Sequence, residues 1–507
     1  MCLIDARMKL KNRCGFGLLP KFGVICQLIL QFFGTHCTRA DDPVLAWDEL
    51  MLQAIRTEST GPTLSSRNLA ILHGAIYDAV NSIDQTHQPF RTQIQAKPGA
   101  STAAAAIEAG YQVMLALYPS FSSETQALYN REIILLPADA STTNGVKVGL
   151  ASAEAILDER SADGSSLNIT YIPSDAPGAW RRTPPLFRPP LDPQWRYVEP
   201  FCLEDLEPFV PKGPPAMNSP EYAAAFNEVK SLGSKTSSTR TAEQSKIATF
   251  WSDFSYTAMP PGHWHEIATA TALLQTNSLV ENARLFALIS FSQADAAIVC
   301  WECKYRYNSW RPVTAIQRAD EDGNPATERD AAWASFLNAP PFPEYVSGHS
   351  TFSKASATTL ALFYGSDAMN FEAKSDSLPG VIRKFSSFSS CAEEVGMSRV
   401  YGGIHFQFAN IDGKKSGKAI AEYVTRNYLL ANDQLPLLSL ESIEGSSHKL
   451  RIHGHIPAQC VLEGSTNLLN WQPLSTNSSI SGGVIVTNGV DSAMASWFYR
   501  MRELPEQ

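Results

Sequence analysis

The chain has 507 residues, which allows two domains or one large one, and 44% of them are hydrophobic, enough for a sizeable core. Its formal net charge is −9 at pH 7, and no long basic run follows the first 40 residues. Composition and charge therefore argue against a nucleic-acid partner.

Residues 1–40 have the composition of a secretory signal peptide. They contain six Lys and Arg residues, one acidic residue and an apolar stretch over 22–33, and they end in a sequence typical of a cleavage site. The apolar stretch is short for a membrane span, although a membrane anchor or a buried helix is the alternative. We expect cleavage near Ala40 and a periplasmic or secreted protein of net charge −14, with 35 basic and 49 acidic residues.

Helical spacing of apolar residues dominates the next part of the chain. It covers 44–59, 65–83, 103–117, 124–136 and 144–163. His73 falls on or beside the apolar side of the second segment. Because no ligand-type residue stands one helical turn away, we expect a core histidine rather than a metal ligand.

The segment 171–220 holds 13 of the 32 prolines, together with Trp180 and Trp195. Proline removes a backbone donor and fixes φ, so this segment is predicted to be a long ordered crossing without helices. Two interpretations stay open. It is either a proline-rich linker or, as the tryptophans favour, a loop packed on the body and over a functional site.

Helical patterns resume near Ser219, and no alternation typical of strands is apparent up to about 434. The helical segments are 241–256, 277–310, 347–363, 387–401 and 413–428. A turn at 260–264 is expected to lead into the next helix, and Pro312 is expected to stop the longest helix. Beyond 435, short alternating runs are separated by glycine-containing turns. We therefore predict a mainly α fold, with a helical domain over 41–434 and a small β-sandwich module over 437–507.

Four of the nine cysteines lie in residues 1–40, and the other five do not form the pattern of a disulfide scaffold. Cys300 and Cys303 have the spacing of a redox or zinc pair. Since no second pair exists, we expect two packed helical thiols instead.

Lys304 and Arg311 are seven residues apart, a spacing that returns to nearly the same face of a helix. Arginine binds oxyanions through bidentate hydrogen bonds and lysine adds a point charge, so both can reach one anion. A solvated charged face is the alternative interpretation.

Ser347-Gly348-His349 precedes an apolar helical run. The serine hydroxyl and glycine amide then lie at a helix start, which offers donors to an anion, and a histidine there is suited to proton transfer. Arg399 and His405 follow, and His405 in this setting is a candidate nucleophile or ligand of a metal oxyanion. The alternatives are a serine N-cap with an incidental histidine, and a buried histidine near a surface arginine.

Together and in this order, these pieces resemble the signature shared by vanadium-dependent haloperoxidases, type 2 phosphatidic acid phosphatases and related acid phosphatases. The resemblance covers roughly 41–428 and implies a helical-bundle catalytic domain with the site inside the bundle. It implies that the oxyanion is bound by Lys304, Arg311, Ser347, Gly348 and Arg399, that His349 is the acid–base catalyst with help from Lys304, and that His405 is the vanadium ligand or phosphohistidine nucleophile.

Trp301 and Phe342 resemble the halide region of the chloroperoxidases, which favours the haloperoxidase side. The lack of an array of spanning segments disfavours an integral lipid phosphatase. Two positions depart from the family pattern: Val346 replaces a usual proline, and Ala409 stands where an aspartate usually orients the histidine. Loss of such a carboxylate costs about 10–100-fold in affinity or activity.

The resemblance thus predicts an exported vanadium-dependent haloperoxidase, a peroxidase with vanadate as cofactor. Its partners would be hydrogen peroxide, halide and a small organic substrate; no nucleic acid and no integral membrane insertion are expected, and a homodimer stays open. One alternative is a periplasmic acid phosphatase that acts through phosphohistidine. Another is an inactive secreted binding protein, which Ala409 alone supports.

Overall fold

A computed structural model describes residues 42–432 and, beyond them, 437–444, 447–453, 460–467, 469–477, 484–489 and 497–503. The signal peptide predicted over residues 1–40 lies outside the described residues. Export therefore stays a prediction.

Thirteen α-helices make up most of residues 42–432. They are α1 (Pro43–Glu58), α2 (Pro62–Asp84), α3 (Thr102–Leu117), α4 (Ser122–Ile133), α5 (Ala140–Arg160), α6 (Pro220–Leu232), α7 (Ala242–Phe250), α8 (Met259–Gln275), α9 (Leu279–Tyr307), α10 (Pro312–Gln317), α11 (Gly348–Phe363), α12 (Phe388–Tyr401) and α13 (Gln407–Asn427). Each predicted helical segment overlaps one of these helices, and the mainly α fold class is confirmed.

The ends of the long helix α9 are set by capping residues. Ser278 and Glu281 form a capping box at its start, in which each side chain accepts a hydrogen bond from the other's backbone N–H. At its end Asn308 adopts a φ of 49° and closes the helix. The expectation that Pro312 stops α9 is therefore wrong. Pro312 instead starts α10, where its missing N–H is not needed.

By length and composition α9 is long and apolar enough to cross a membrane. In the described part of the chain, however, 94% of its most apolar window is buried, and it packs against α2, α11 and α13. This burial is typical of the core helix of a bundle. Cys300 and Cys303 lie on α9 as buried free thiols, as predicted.

The segment 260–264 was predicted to be a turn but belongs to the start of α8. Pro260 and Pro261 stand in its first turn, where a helix tolerates proline because the first N–H groups have no partner within the helix. His263 and Trp264 are consequently buried, and the Trp264 Nε1 donates to Ser353 Oγ of α11 at 2.8 Å. This contact joins α8 to the helix that carries the Ser-Gly-His sequence.

The start of α11 is positioned by a close approach of α13. A Cβ atom added at Gly417 would lie 2.2 Å from the Thr351 carbonyl oxygen, and one at Gly413 would lie 2.8 Å from the Ser347 carbonyl oxygen. Both distances are too short for any side chain, so these two glycines let the helices touch backbone to backbone. The contact fixes the turn that carries Ser347 and His349.

A β-hairpin interrupts the helical region, where no strands were expected. Strand β1 (Ala368–Lys374) pairs antiparallel with β2 (Ile382–Ser387), and Phe371 lies opposite Phe385. Burial in β2 alternates only between exposed and half-buried positions, so its sequence pattern is weak. These strands form because they pair with each other and pack on α8 and α12, which local propensity does not report.

Beyond residue 437 the described residues form two three-stranded antiparallel sheets. One contains β3 (Leu437–Glu444), β4 (Ser447–His453) and β7 (Val484–Gly489), and the other contains β6 (Gln472–Asn477), β5 (Cys460–Ser465) and β8 (Phe498–Glu503), each in that order. Leu450 and Leu462 form a small buried cluster. Two small sheets agree with the predicted β-sandwich, while its independence as a domain stays a prediction.

The proline-rich segment is a packed loop rather than a free linker. Up to Ser219, all of its residues are described and they contain two short 3₁₀ turns and no α-helix. Trp180 and Trp195 are buried, and the Trp180 N–H donates to the Asn308 carbonyl at the end of α9. The loop is thereby anchored next to the predicted site residues on α9.

His73 is buried, as expected, and it forms a cluster with two other residues, each from a different helix. Asp48 Oδ1 of α1 lies 2.9 Å from His73 Nε2 of α2 and 2.6 Å from His265 Nδ1 of α8. The three residues offer metal-ligand atoms within 4.8 Å of one another. Burial raises the pKa of Asp48, but the charges and hydrogen bonds of His265 and His73 outweigh it and lower that pKa to about 2.

We expect Asp48→Asn to lower the free energy of unfolding at pH 7 by about 3–5 kcal/mol, because it removes one partner of a buried charged cluster. Folding lowers the pKa of Asp48, so its contribution is present above about pH 4 and is lost as the pH falls towards 2. Urea unfolding, measured by circular dichroism, should therefore show a difference in the free energy of unfolding between wild type and Asp48→Asn. This difference should become smaller as the pH is lowered. Asp158→Asn, at an exposed position of α5, is the control; equal stability of wild type and Asp48→Asn at pH 7 would contradict the prediction.

Candidate oxyanion site

The structure brings the predicted site residues together from the helices between α9 and α13. Lys304 lies in the last turn of α9, Arg311 directly precedes α10, Ser347-Gly348-His349 starts α11, Arg399 lies in the last turn of α12, and His405 lies between α12 and α13. All are buried except His349, which is partly exposed to a cavity.

The hydrogen bonds of His405 define its tautomer. Its Nε2 lies 3.1 Å from Arg311 Nη1, and its Nδ1 lies 2.8 Å from Glu344 Oε1. Arginine can only donate, so Nε2 accepts and Nδ1 carries the proton that is donated to Glu344. Burial, followed by the charges of Arg311, Lys304 and Arg399, holds the pKa of His405 well below its ordinary value. His405 is therefore neutral, with an unprotonated Nε2.

Glu344 is the residue that sequence analysis missed. It is fully buried, and its Oε1 also accepts from the Phe406 N–H at 2.9 Å. Burial raises the pKa of Glu344 to about 7, against the opposing charge of Arg311. The carboxylate that orients His405 thus comes from the segment before α11.

Position 409 has no aspartate, but Glu344 supplies a carboxylate to His405 in its place. Ala409 is buried, and its carbonyl accepts from the Ser347 N–H at 3.1 Å. Asp412 accepts from the Tyr345 hydroxyl at 2.8 Å instead of reaching His405. The available sequence signal was a glutamate three residues before Ser347, in a run that is otherwise apolar.

Two buried arginines have donors left over after their hydrogen bonds to the protein are counted. Arg311 donates to the carbonyls of Phe342 and Ile404, and Arg399 donates to the Trp251 carbonyl at 2.8 Å. Arg311 Nη2 and Arg399 Nε are buried and have no hydrogen-bond partner among the described residues. Burial lowers the pKa of Arg311 to about 10 and that of Arg399 to about 9.

Lys304 is arranged differently from these arginines. Its Nζ donates to the carbonyls of Pro343 and Glu344 at 3.3 Å and to that of Val346 at 2.5 Å. Burial lowers the pKa of Lys304 to about 8. Lys304 therefore holds the segment that leads into α11 and adds positive charge near His405. Val346 takes part through its carbonyl, which a proline would also present.

Ser347 is the N-cap of α11. This is the alternative to the anion-binding role that was considered for its hydroxyl. Its Oγ accepts from the Ser350 N–H at 3.4 Å and from the Ser350 hydroxyl at 2.8 Å. Gly348 follows as the first helical residue and lines the cavity. A Cβ atom there would meet no described atom closer than 3.9 Å. The helix start thus leaves open space beside the Gly348 backbone.

His349 points its ring at the loop before α8. Its Nε2 is buried without a hydrogen-bond partner in the described chain and lies 3.8 Å from Asp253 Oδ2. Asp253 Oδ1 lies 3.2 Å from His263 Nδ1. Burial and then the charge of Arg399 lower the pKa of His349 well below its ordinary value. A neutral His349 can accept a proton and return it.

A cavity of about 580 Å³ opens next to these residues. Gly348, His349, Arg399 and His405 are among the residues that line it. Trp301 and Phe342, the predicted halide region, also line it, and their rings are 5.0 Å apart. The Phe342 ring lies 4.9 Å from Lys304 Nζ. The cavity lining therefore includes both cationic and aromatic side chains.

The donor set fits a tetrahedral oxyanion such as vanadate. Donors left without partners in a buried place are costly unless a ligand satisfies them. Here Arg311 Nη2 and Arg399 Nε are such donors, and both arginines act electrostatically on His405. His349 Nε2 is likewise buried without a hydrogen-bond partner among the described residues. A bound oxyanion would satisfy the two arginines and face the lone pair of His405 Nε2.

Comparisons with known proteins give relatives of the chain and of its fold. The family profile of the VCPO second helical-bundle domain matches residues 284–432. The vanadium chloroperoxidase of Curvularia inaequalis is 25% identical over 409 residues, which are 63% of this chain and 65% of that protein, slightly less than two thirds of its length.

Two solved structures resemble the fold. The first bacterial vanadium-dependent iodoperoxidase aligns with a TM-score of 0.68 and 26% identity, over 77% of this chain and 98% of that one. A holo-type bacterial vanadium-dependent chloroperoxidase aligns with a TM-score of 0.58 and 18% identity, over 72% and 93% of the two chains. The profile, the curated relative and the shared helical fold together support the vanadium-dependent haloperoxidase superfamily for this chain.

Proposed function

We propose that the protein is a vanadium-dependent haloperoxidase, which oxidises halide with hydrogen peroxide. The observation that supports this proposal best is the group of unpaired buried donors around the unprotonated His405 Nε2. Such a site offers one covalent ligand and several charge-assisted hydrogen bonds to a single oxyanion.

In this proposal His405 holds vanadate through Nε2, and Glu344 keeps that nitrogen free of a proton by accepting from Nδ1. Arg311 and Arg399 bind the oxyanion oxygens, the Gly348 amide lies at the helix start beside them, and Ser347 holds that turn as its cap. Bound vanadate supplies the Lewis acid that activates hydrogen peroxide for two-electron oxidation of halide.

His349 is the proposed acid–base residue. Its Nε2 is unpaired and its pKa is lowered, so it can take the proton of an incoming peroxide and return it to the departing oxygen. Lys304 assists from behind His405 as a fixed positive charge. Trp301 and Phe342 offer an aromatic place for halide beside these cations.

An acid phosphatase is the second candidate function. A neutral histidine whose Nε2 is unprotonated and whose Nδ1 is held by a carboxylate is also what a phosphohistidine nucleophile requires. Phosphate and vanadate share a tetrahedral shape, so the donors described here suit either.

The test compares the two activities on one preparation of purified protein. With orthovanadate added, we expect peroxide-dependent bromination and iodination of a dye substrate, and without vanadate we expect none. The same preparation, free of vanadate, is offered a phosphate monoester. Phosphate release without any vanadate-dependent halogenation would contradict the proposal in favour of the phosphatase, and failure of both would favour the inactive binding protein.

Export to the periplasm or medium is proposed on the composition of residues 1–40 alone. The β module over 437–507 is proposed to fold independently of the chemistry, since each domain is expected to have its own core.

A further inference from the structure

A second group of buried polar side chains lies outside the oxyanion site. Asp48 of α1, His73 of α2 and His265 of α8 are 1%, 0% and 0% exposed. None of the three lines the cavity described above, and the proposed function does not use them. Buried charged groups are costly unless they are paired or coordinate a metal. The arrangement therefore needs an explanation of its own.

The three side chains are ligand types that zinc accepts. Zinc in proteins is bound by histidine nitrogen, cysteine sulfur and carboxylate oxygen, with tetrahedral geometry. One ligand atom from each of Asp48, His73 and His265 lies within 4.8 Å of those of the other two. The sequence suggested a core histidine at position 73, because no ligand-type residue stands one helical turn away. The partners come instead from two other helices, α1 and α8.

The distance between the two imidazole rings fits a shared metal ion. Two imidazoles on one tetrahedral zinc have ring centres about 5 Å apart, since each ligating nitrogen lies about 2 Å from the metal. The ring centres of His73 and His265 are 5.4 Å apart. Asp48 Oδ1 lies 2.9 Å from His73 Nε2 and 2.6 Å from His265 Nδ1. Ligand atoms on zinc are about 3.3 Å apart, so each nitrogen would move away from Oδ1 by less than about 1 Å.

A hydrogen bond on the far side of His265 leaves its Nδ1 without a proton when the ring is neutral. Ser290 Oγ donates its only hydrogen to the Phe286 carbonyl at 2.6 Å, so it can only accept from His265 Nε2, which is 3.4 Å away. The bare Nδ1 of that tautomer faces the Asp48 carboxylate at 2.6 Å. Two acceptors at this distance need a cation between them, either a proton or a metal ion.

His73 is suited to bind the same ion. Burial, against the hydrogen bond of Asp48, lowers the pKa of His73, so its ring is neutral at pH 7, as a metal ligand must be. Its Nδ1 has no hydrogen-bond partner in the described chain, so no contact there fixes which nitrogen carries the proton. The Phe286 ring lies 5.2 Å from the His73 ring and 5.6 Å from the His265 ring, which makes the surroundings of the pair apolar.

We propose that Asp48, His73 and His265 bind one zinc ion, which fastens α1, α2 and α8 to one another. A water molecule or the second oxygen of Asp48 would complete the four ligands. The site is structural, because its residues are closed off from solvent and do not line the cavity. Zinc would enter while the chain folds, since binding to such a site is coupled to folding. The proposal is independent of the proposed haloperoxidase function.

The test refolds the protein from urea with or without added Zn²⁺, dialyses it and measures bound zinc by elemental analysis. We expect about one zinc per wild-type chain and a melting temperature several degrees above that of the zinc-free protein. His73→Gln and His265→Gln should lower zinc affinity by more than 10–100-fold, roughly the effect of losing only an outer-shell partner. X-ray absorption of the wild-type zinc should show two imidazole ligands, and this measurement needs no variant to fold.

The controls are His87→Gln and His405→Gln, both of which should keep the zinc. His87 belongs to no group of metal-ligand atoms among the described residues, and His405 belongs to the oxyanion site. Zinc that is lost from His405→Gln but kept by His265→Gln would lie at the oxyanion site and would overturn the proposal. A wild type that retains no zinc after refolding would also overturn it, and the cluster would then be a hydrogen-bonded ion pair. Neither result bears on the haloperoxidase function, which is measured separately as vanadate-dependent halogenation.

Discussion

His405→Ala is expected to abolish retention of vanadate, whereas His349→Ala keeps vanadate and lowers turnover by about 10²–10⁴-fold, the usual contribution of general acid–base catalysis. The two histidines differ in their surroundings. The His405 Nε2 is unprotonated and accepts from Arg311, so it can bond to the oxyanion. The His349 Nε2 is unpaired beside Asp253, where it can only exchange a proton or a hydrogen bond.

Equilibrium dialysis with vanadium analysis measures retention, and bromination at saturating vanadate measures turnover. His87→Ala is the control variant, since His87 lies outside the cavity lining. Arg311→Ala and Arg399→Ala should reduce both quantities, because each removes charge-assisted donors. Loss of vanadate in His349→Ala together with its retention in His405→Ala would reverse the two assigned roles.

Glu344→Gln is expected to weaken vanadate binding by about 10–100-fold, the usual effect of removing the carboxylate behind a ligating histidine. Glutamine can still accept from His405 Nδ1, so the ring stays in place while the negative charge is lost. The pKa of Glu344 is raised to about 7, so its carboxyl becomes protonated as the pH falls through 7. Vanadate affinity of the wild type should fall over that interval, and the affinity of Glu344→Gln should not follow it.

Dialysis between pH 6 and 8 measures both effects, and circular dichroism confirms that the variants are folded. Asp412→Asn is the matched control, because Asp412 is a nearby carboxylate that accepts from Tyr345 and does not touch His405. Wild-type affinity in Glu344→Gln would show that His405 needs no charged partner. A pH dependence that persists in Glu344→Gln would show that another group causes it.

The helices that carry the site were predictable because their signals are local. The caps at Ser278 and Ser347, and the apolar spacing of α9 and α12, lie within a few residues of each helix. The short helix α10 and the hairpin of β1 and β2 were missed. Their formation depends on neighbours that are distant in sequence.

The candidate site likewise contains residues that the sequence indicated and one that it did not. The sequence order of the predicted site residues indicated one superfamily. In the structure His349, Arg399 and His405 line the cavity. Arg311 contacts His405, and the charge of Lys304 acts on it. The partner of His405 was sought four residues further along a helix, where Ala409 stands. Glu344 is 61 positions away from His405, and a through-space contact of this kind has no spacing rule.

The spread of the site along the chain also bears on how the protein folds. Lys304 and His405 are about a hundred residues apart, and the two are brought together only when α9, α11 and the link after α12 have docked, so the contacts involved are non-local and form slowly. Partly assembled chains would lack the group of cations. The oxyanion binding proposed above would consequently signal that tertiary assembly is complete, and it would report on refolding in a way that secondary-structure probes cannot.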